Sequence, residues 1–395
     1  MKKIGILGAG IYQVPLIKKA KEMGLYTVIF SIEGNYPGFQ YADQIFYVNT
    51  TDEEKIIEIC REEKLDGICT TGTDVCVPTI GRVCDTLGLK GVSYDAAICA
   101  ANKSDMKKKF IENGVATAQY IIAHNEEEVW DAIDKIQLPV MVKAVDSSGS
   151  RGITKVTTMD KDVISAAVKQ AQAVSKLDYF VVEECIEGVE FGAQAMVYDG
   201  DVKFVMPHGD YVFQGDTGVP VGHYVPYNIS EDVLKESKRQ VELSVRALGV
   251  DNCAINADFI LRGRDVYVLE IGARAGATCL PEMVSIYYGV DFYKMIIQMA
   301  LGEEIEWNQA DVLTPNACKL LMADKTGKIE KIILPESNNE NVLDVSCDYA
   351  VGDKVNKFKI GPDRIGQVIT KGKTLEEAVE VMDALVDATV IEIAE

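Results

Sequence analysis

The sequence predicts an α/β chain that turns α+β in its central region, and three patterns carry that prediction. The first ~95 residues alternate short apolar runs with amphipathic stretches, the pattern of a doubly wound parallel sheet. Residues 254–271 then read as two strands around the polar turn Arg262-Gly263-Arg264-Asp265, a β-hairpin. Past residue ~310 the alternation resumes and closes on an amphipathic helix over 374–387, where Thr374 and Glu377 make a capping box. A chain of 395 residues has room for two or three domains. We expect an N-terminal α/β domain over 1–96, a central domain over 97–305 and a small C-terminal α/β domain over 306–395.

In the first region, 4–7, 27–30 and 67–70 are strand candidates, with helices over 14–23, 51–63 and 77–87 between and after them. Gly8-Ala9-Gly10 makes a tight turn after the first strand. The third glycine of a dinucleotide-binding GxGxxG is missing because position 13 is Gln, so nicotinamide binding is the remote reading. The start Met1-Lys2-Lys3 followed by an apolar run resembles a secretory signal only superficially: Tyr12-Gln13 and Lys18-Lys19 interrupt it and no small-residue cleavage site follows. Thr71-Gly72-Thr73-Asp74 is either a substrate-facing loop at the sheet's ligand edge or a capped helix start.

The chemistry concentrates in the middle region. Asp258 and Glu270, one on each hairpin strand, can face the same side and share Mg²⁺, which takes carboxylate and phosphate oxygens together. Gly272-Ala273-Arg274-Ala275-Gly276 follows and presents one guanidinium beside them. Metal plus arginine is what a transferring phosphoryl group needs. Upstream, the short apolar strand 139–144 ends at Lys143-Ala144 and runs into Asp146-Ser147-Ser148-Gly149-Ser150-Arg151-Gly152. A Gly/Ser loop lets backbone N–H groups approach phosphate oxygens closely, and the lysine adds a point charge. It is not a Walker A sequence, which sets Lys-Ser/Thr after the last glycine. Lys103 opens an amphipathic helix that ends near Gly114, and a strand over 179–186 runs into Glu183-Glu184-Cys185-Ile186, with Glu190 beyond it. Residues 207–224, rich in Gly, Pro and aromatics, read as a long functional loop carrying His208 and His223.

Bulk properties fit an enzyme acting on small molecules. A net charge of −21 argues against nucleic acid or an anionic membrane as partner, since both require basic surfaces. No apolar run approaches the ~20 residues that span a bilayer. Ten cysteines contain no CxxC pair and only three histidines accompany them, so zinc and iron–sulfur spacings are missing. Reduced thiols and a cytoplasmic location are the expectation.

In order and spacing, these blocks resemble the ATP-grasp superfamily, in the branch of carboxylate–amine ligases that holds biotin carboxylase, carbamoyl-phosphate synthetase, the purine-pathway ligases and the L-amino-acid ligases. The resemblance covers nearly the whole chain. It implies ATP and Mg²⁺ (or Mn²⁺) as cofactors, a carboxylate and an amine as substrates, and a homodimer as the usual assembly. Lys103 and Lys143 match the ATP-phosphate lysines, and the loop with Ser147, Ser148 and Gly149 matches the lid over the β- and γ-phosphates. Glu183, Glu184 and Ile186 match the adenine hinge and Glu190 the ribose acid. Asp258 and Glu270 match the metal acids, and Arg274, with Lys143, the catalytic cations. Two departures stand out: Gly272 replaces the usual asparagine of the second metal segment, and Asp258 stands where Glu is commoner. The resemblance implies an acyl-phosphate ligase of the amino-acid or dipeptide type, with phosphoribosylglycinamide synthetase as the alternative. The Gly-Arg-Glu-His expected of that synthetase is missing from the first turn, and no biotin-carrier Met-Lys-Met occurs. Retention of Lys143, Asp258, Glu270 and Arg274 argues against a non-catalytic ATP-binding protein.

Overall fold

The computed structural model describes residues 1–147, 151–215, 218–336 and 338–394. Strands β1 (Lys3–Leu7), β2 (Tyr26–Ser31), β3 (Gln44–Tyr47) and β4 (Gly67–Cys69) form a parallel sheet in the order β3-β2-β1-β4. Helices α1 (Val14–Glu22), α2 (Glu53–Glu63) and α3 (Val77–Leu87) connect these strands and carry the chain onward. The expected doubly wound start is therefore present, with β3 as an added strand. Its residues are all partly exposed, which is why hydrophobicity alone did not mark it.

Helices α4 (Tyr94–Ala101) and α5 (Lys103–Glu112) lead into a smaller four-stranded antiparallel sheet. It contains β5 (Tyr120–Ala123), β6 (Val140–Ala144), β7 (Ile153–Val156) and β8 (Phe180–Glu184), in the order β5-β8-β6-β7. Helices α6 (Glu126–Ile136) and α7 (Lys161–Val174) cover one face, burying Val129, Ile133, Ile164 and Val168 against Val142 and Phe180.

The third layer is built on β9 (Val189–Tyr198), β10 (Asp201–Val212), β11 (Pro220–Val225), β12 (Cys253–Arg262) and β13 (Asp265–Gly272). Later strands are β14 (Asn316–Met322), β15 (Gly327–Ile333), β16 (Val342–Cys347), β17 (Lys354–Val355), β18 (Arg364–Lys371) and β19 (Val390–Ala394). Eight of these make one antiparallel sheet ordered β13-β12-β9-β10-β11-β14-β18-β16, and β17-β15-β19 make a small separate sheet. Helices α8 (Glu231–Leu248), α9 (Leu280–Tyr288), α10 (Phe292–Ala300) and α11 (Leu375–Ala388) complete the chain. Thr374 caps α11 by accepting from Glu377 N–H, as expected. Glu377 reaches back to the N–H of Lys373 rather than of Thr374.

One region differs from expectation. Residues 207–224 are not a long loop: His208 lies inside β10 and His223 inside β11, diagonal neighbours across an antiparallel ladder in which Asp210 stands opposite His223. Gly209 is there for close packing, because a Cβ at that position would run into the Tyr224 ring. A glycine in a strand interior marks such close approach as readily as a turn.

The large sheet sorts its side chains by alternation. On β9, Phe191, Ala193, Ala195 and Val197 face a core shared with Phe259 and α8, and the intervening Gly192 and Gln194 face the other way. The site is built on that second face. Among the described residues no helix is long and apolar enough to cross a membrane.

Candidate active site

Directly opposed residues in a ladder share a face, so the register lays out the site. His208, Gly192, Asp258 and Glu270 make one row across β10, β9, β12 and β13. Met206, Gln194, Asn256 and Gly272 make the next. Glu270 reaches this face only because the ladder slips by one residue: Asp258 opposes Glu270, but Phe259 opposes Val268. Leu269 is the extra residue of a β-bulge. Without it, Glu270 would follow Val266 and Val268 into the core.

Asp258 and Glu270 thus come together as the hairpin reading expects. Burial first, and then the negative charge of Glu270, push the Asp258 carboxyl up to about 8. Burial acts the same way on Glu270, but the charges of Lys103, Lys143 and Arg274 overrule it and hold its carboxyl below the ordinary range. Lys103, at the start of α5, sets its Nζ 3.0 Å from Glu270 Oε2 and donates to the Ser147 carbonyl at 2.7 Å. Asn102 fixes that helix start by accepting from the N–H groups of Ser104 and Asp105.

Lys143 meets Glu183, not Asp258 or Glu270: Nζ lies 2.8 Å from Glu183 Oε2, and the Glu183 side chain is 1% exposed. Glu184 points outward to Arg262 at 3.3 Å, and Ile186 is buried against Ala118 and Ile260. Glu190 is exposed, on the same face of β9 as Gly192 and close enough to raise the Lys143 ammonium pKa. Ser147 is buried and donates through Oγ to the Arg151 carbonyl. Ser148 and Gly149 lie outside the described residues.

Arg274 follows β13 and donates to Asp74 Oδ2 at 2.6 Å. The 71–74 loop is therefore site-facing: Gly72 N–H bonds the Ala275 carbonyl, and the N-cap position of α3 falls on Cys76, which makes no side-chain cap bond, rather than on Asp74. Gly272 has a physical reason as well. A Cβ there would lie 2.8 Å from Asp74 Oδ1, so the usual asparagine would force the Asp74 side chain to shift.

Three groups of residues escaped sequence reasoning. Gln194 accepts from Gly276 N–H at 2.8 Å and donates to Asn256 Oδ1 at 2.7 Å, and Asn256 Nδ2 is 3.4 Å from Asp258 Oδ1. That chain ties the Arg274 segment to Asp258. Lys107, one turn after Lys103, is 1% exposed and also approaches Glu183. Its place in the run Lys107-Lys108-Lys109 hid it, because such runs are usually solvated. Asp210 accepts from His208 Nδ1 at 2.8 Å and from His223 Nδ1 at 2.6 Å. Burial disfavours its charge, yet the two rings hold it well below the usual carboxylate range. The three form the one group of His, Cys, Asp or Glu among the described residues with the spacing of a metal site. Their hydrogen bonds account for the arrangement without an ion.

Comparison with known proteins fits this geometry. Residues 101–282 match the family described as phosphoribosylglycinamide synthetase, ATP-grasp (A) domain, and residues 319–394 match L-amino acid ligase C-terminal domain 2. The crystal structure of phosphoribosylglycinamide synthetase from Anaerococcus prevotii is similar over 100% of both chains, with 34% identity and a TM-score of 0.86. The chain belongs to the ATP-grasp carboxylate–amine ligases. Another member of this fold, L-amino acid ligase from Bacillus licheniformis, is 21% identical, with a TM-score of 0.83 over 100% of this chain and 99% of that one. Alanine–anticapsin ligase of Bacillus subtilis (strain 168) is 24% identical over 66% of this chain, and the match spans 61% of that ligase's length.

Proposed function

We propose that this chain is an ATP- and Mg²⁺-dependent ligase of the amino-acid or dipeptide type. The observation that carries the reading is the Asp74–Arg274 pair beside Asp258 and Glu270. A carboxylate and a guanidinium held side by side complement a zwitterion: Asp74 suits an ammonium group and Arg274 a carboxylate or the acyl-phosphate derived from it. The match of residues 319–394 to an L-amino acid ligase domain supports the same type.

Two opposed carboxylates on one sheet face form a hard-oxygen donor set that fits Mg²⁺ or Mn²⁺. When bound, the metal neutralises charge on the β- and γ-phosphates. Asp258 and Glu270 would hold it, with Asn256 orienting Asp258. In this reading Lys103, Lys143, Ser147, Ser148 and Gly149 take the phosphates, the backbone of the 183–186 hinge the adenine, and Glu190 the ribose. The substrate carboxylate attacks the γ-phosphorus, the bond to the β-phosphate oxygen breaks, and ADP leaves. The amine nitrogen then attacks the acyl carbon, phosphate departs, and the nitrogen gives up its proton. Ten free thiols fit a reducing cytoplasm, the location we assign.

Because Asp258 keeps a proton up to about pH 8 in the metal-free site, a metal has to displace that proton. Mn²⁺ affinity, followed by calorimetry, is expected to climb up to about tenfold per unit as pH rises from 6 to 8 and to flatten above. A pH-independent affinity would count against Asp258 as a ligand.

A phosphoribosylglycinamide synthetase-type reading is favoured by the 34% identical structure. Against it stand the missing Gly-Arg-Glu-His of the first turn and the match of residues 319–394 to an L-amino acid ligase domain. The deciding experiment is phosphate release from MgATP across a matrix of amino acids, dipeptides, and phosphoribosylamine with glycine. Release with amino-acid pairs supports our reading, and release with phosphoribosylamine and glycine alone replaces it.

A further inference from the structure

We propose that Lys107 is a positioning residue, a permanent counter-ion for Glu183 that allows Lys143 to leave for the nucleotide. The inference rests on the reading of Lys143 as a phosphate ligand.

The two lysine–glutamate pairs of the site face different prospects when nucleotide arrives. Lys103 holds Glu270 at 3.0 Å, and Glu270 keeps 36% of its side chain exposed. When Lys103 turns to a phosphate, solvent or the metal takes its place. Glu183 has no such replacement. Its side chain is 1% exposed, its Oε1 has no hydrogen-bond partner, and both lysines approach the same atom, Oε2, Lys143 at 2.8 Å and Lys107 at 3.5 Å. A buried carboxylate stripped of its only cation is among the costliest arrangements in a protein interior. Lys143 alone would therefore be bound to Glu183 and reluctant to serve ATP.

Lys107 is built to stay behind. Its side chain is 2% exposed, and its Nζ donates at 3.0 Å to Thr117 Oγ1, which in turn donates at 2.7 Å to the Val268 carbonyl. Val268 N–H closes the loop on the Ala116 carbonyl at 2.7 Å. Lys107 is thus moored to β13 two residues before Glu270, with no opening toward the phosphate loop in its contacts. Burial works against the ammonium of both lysines, and the charge of Glu183 overrules it at Lys143, 2.8 Å away, but not at Lys107, 3.5 Å away.

The test is calorimetric binding of MgADP to the full chain and its variants, with thermal unfolding alongside. Lys107→Met should weaken MgADP binding by tenfold or more, because Glu183 then retains Lys143. Lys107→Arg should stay within about threefold of the parent. The decisive variant is the double substitution Lys107→Met/Glu183→Gln, which removes both charges. It should bind within about threefold of Glu183→Gln alone, a rescue that a purely structural role for Lys107 would not give. Unchanged binding by Lys107→Met, or a double variant as weak as Lys107→Met, overturns the proposal. Should Lys107→Met fail to fold, the double variant against Glu183→Gln still decides. A parent chain that does not bind MgADP overturns the nucleotide reading and this inference with it.

Discussion

Glu270→Gln is expected to lower MgATP-dependent phosphate release by about a thousandfold, equivalent to about 4 kcal/mol of transition-state stabilisation. The amide keeps the size of the carboxylate and the ladder with Asp258, so the hairpin and its bulge should persist. What is lost is charge. Lys103 would keep the Ser147 carbonyl as a partner but no anion at 3.0 Å, and Asp258 would face the metal alone. Relief of the Asp258–Glu270 repulsion should bring the Asp258 carboxyl down from about 8. The unfolding midpoint should therefore stay level or rise slightly while turnover collapses. Undiminished turnover at saturating substrates would sink the metal assignment.

Arg274→Met is expected to reduce kcat about three-hundredfold while MgADP affinity stays within about threefold. Arg274 donates to Asp74 and the Ala275 carbonyl and approaches no hinge residue, so its influence should fall on the acyl transfer rather than on nucleotide binding. Losing the guanidinium also leaves Asp74 without its ion-pair partner beside two further carboxylates, a like-charge cluster that repels the substrate carboxylate. Arg274→Lys should recover little, because an ammonium cannot reproduce a planar fork that engages a carboxylate and a phosphate together. The readout is kcat against Kd for MgADP. A parallel loss of both would move Arg274 to the nucleotide.

Much of the architecture was legible from local pattern. Strand–helix alternation produced the N-terminal sheet, and the tight polar turn at 262–265 produced the hairpin. The Asn102-Lys103-Ser104 start produced a capped helix. Each depends on neighbours within a turn or a strand length, which the chain order contains. The 207–224 segment misled because Gly and Pro have two meanings, and which applies depends on Tyr224, a residue on another strand.

For the site, residue identity was readable and orientation was not. The sequence by itself determined which groups the candidate site holds: Lys103, Lys143, Asp258, Glu270 and Arg274, in that order, with glycines where backbone must come close. Tertiary structure decided what each group faces. The bulge at Leu269 turns Glu270 out of the core to stand opposite Asp258. The parallel bridge between Thr71 and Ala275 brings Asp74 to Arg274 across 200 residues. The placement of α5 against α4 and α8, with Lys107 reaching Glu183 on β8, turns Lys107 from an apparently solvated lysine into a buried partner of Glu183. All three depend on contacts between residues distant in sequence. The free energy of burying a charge is set by those contacts and by nothing local to the residue that carries it.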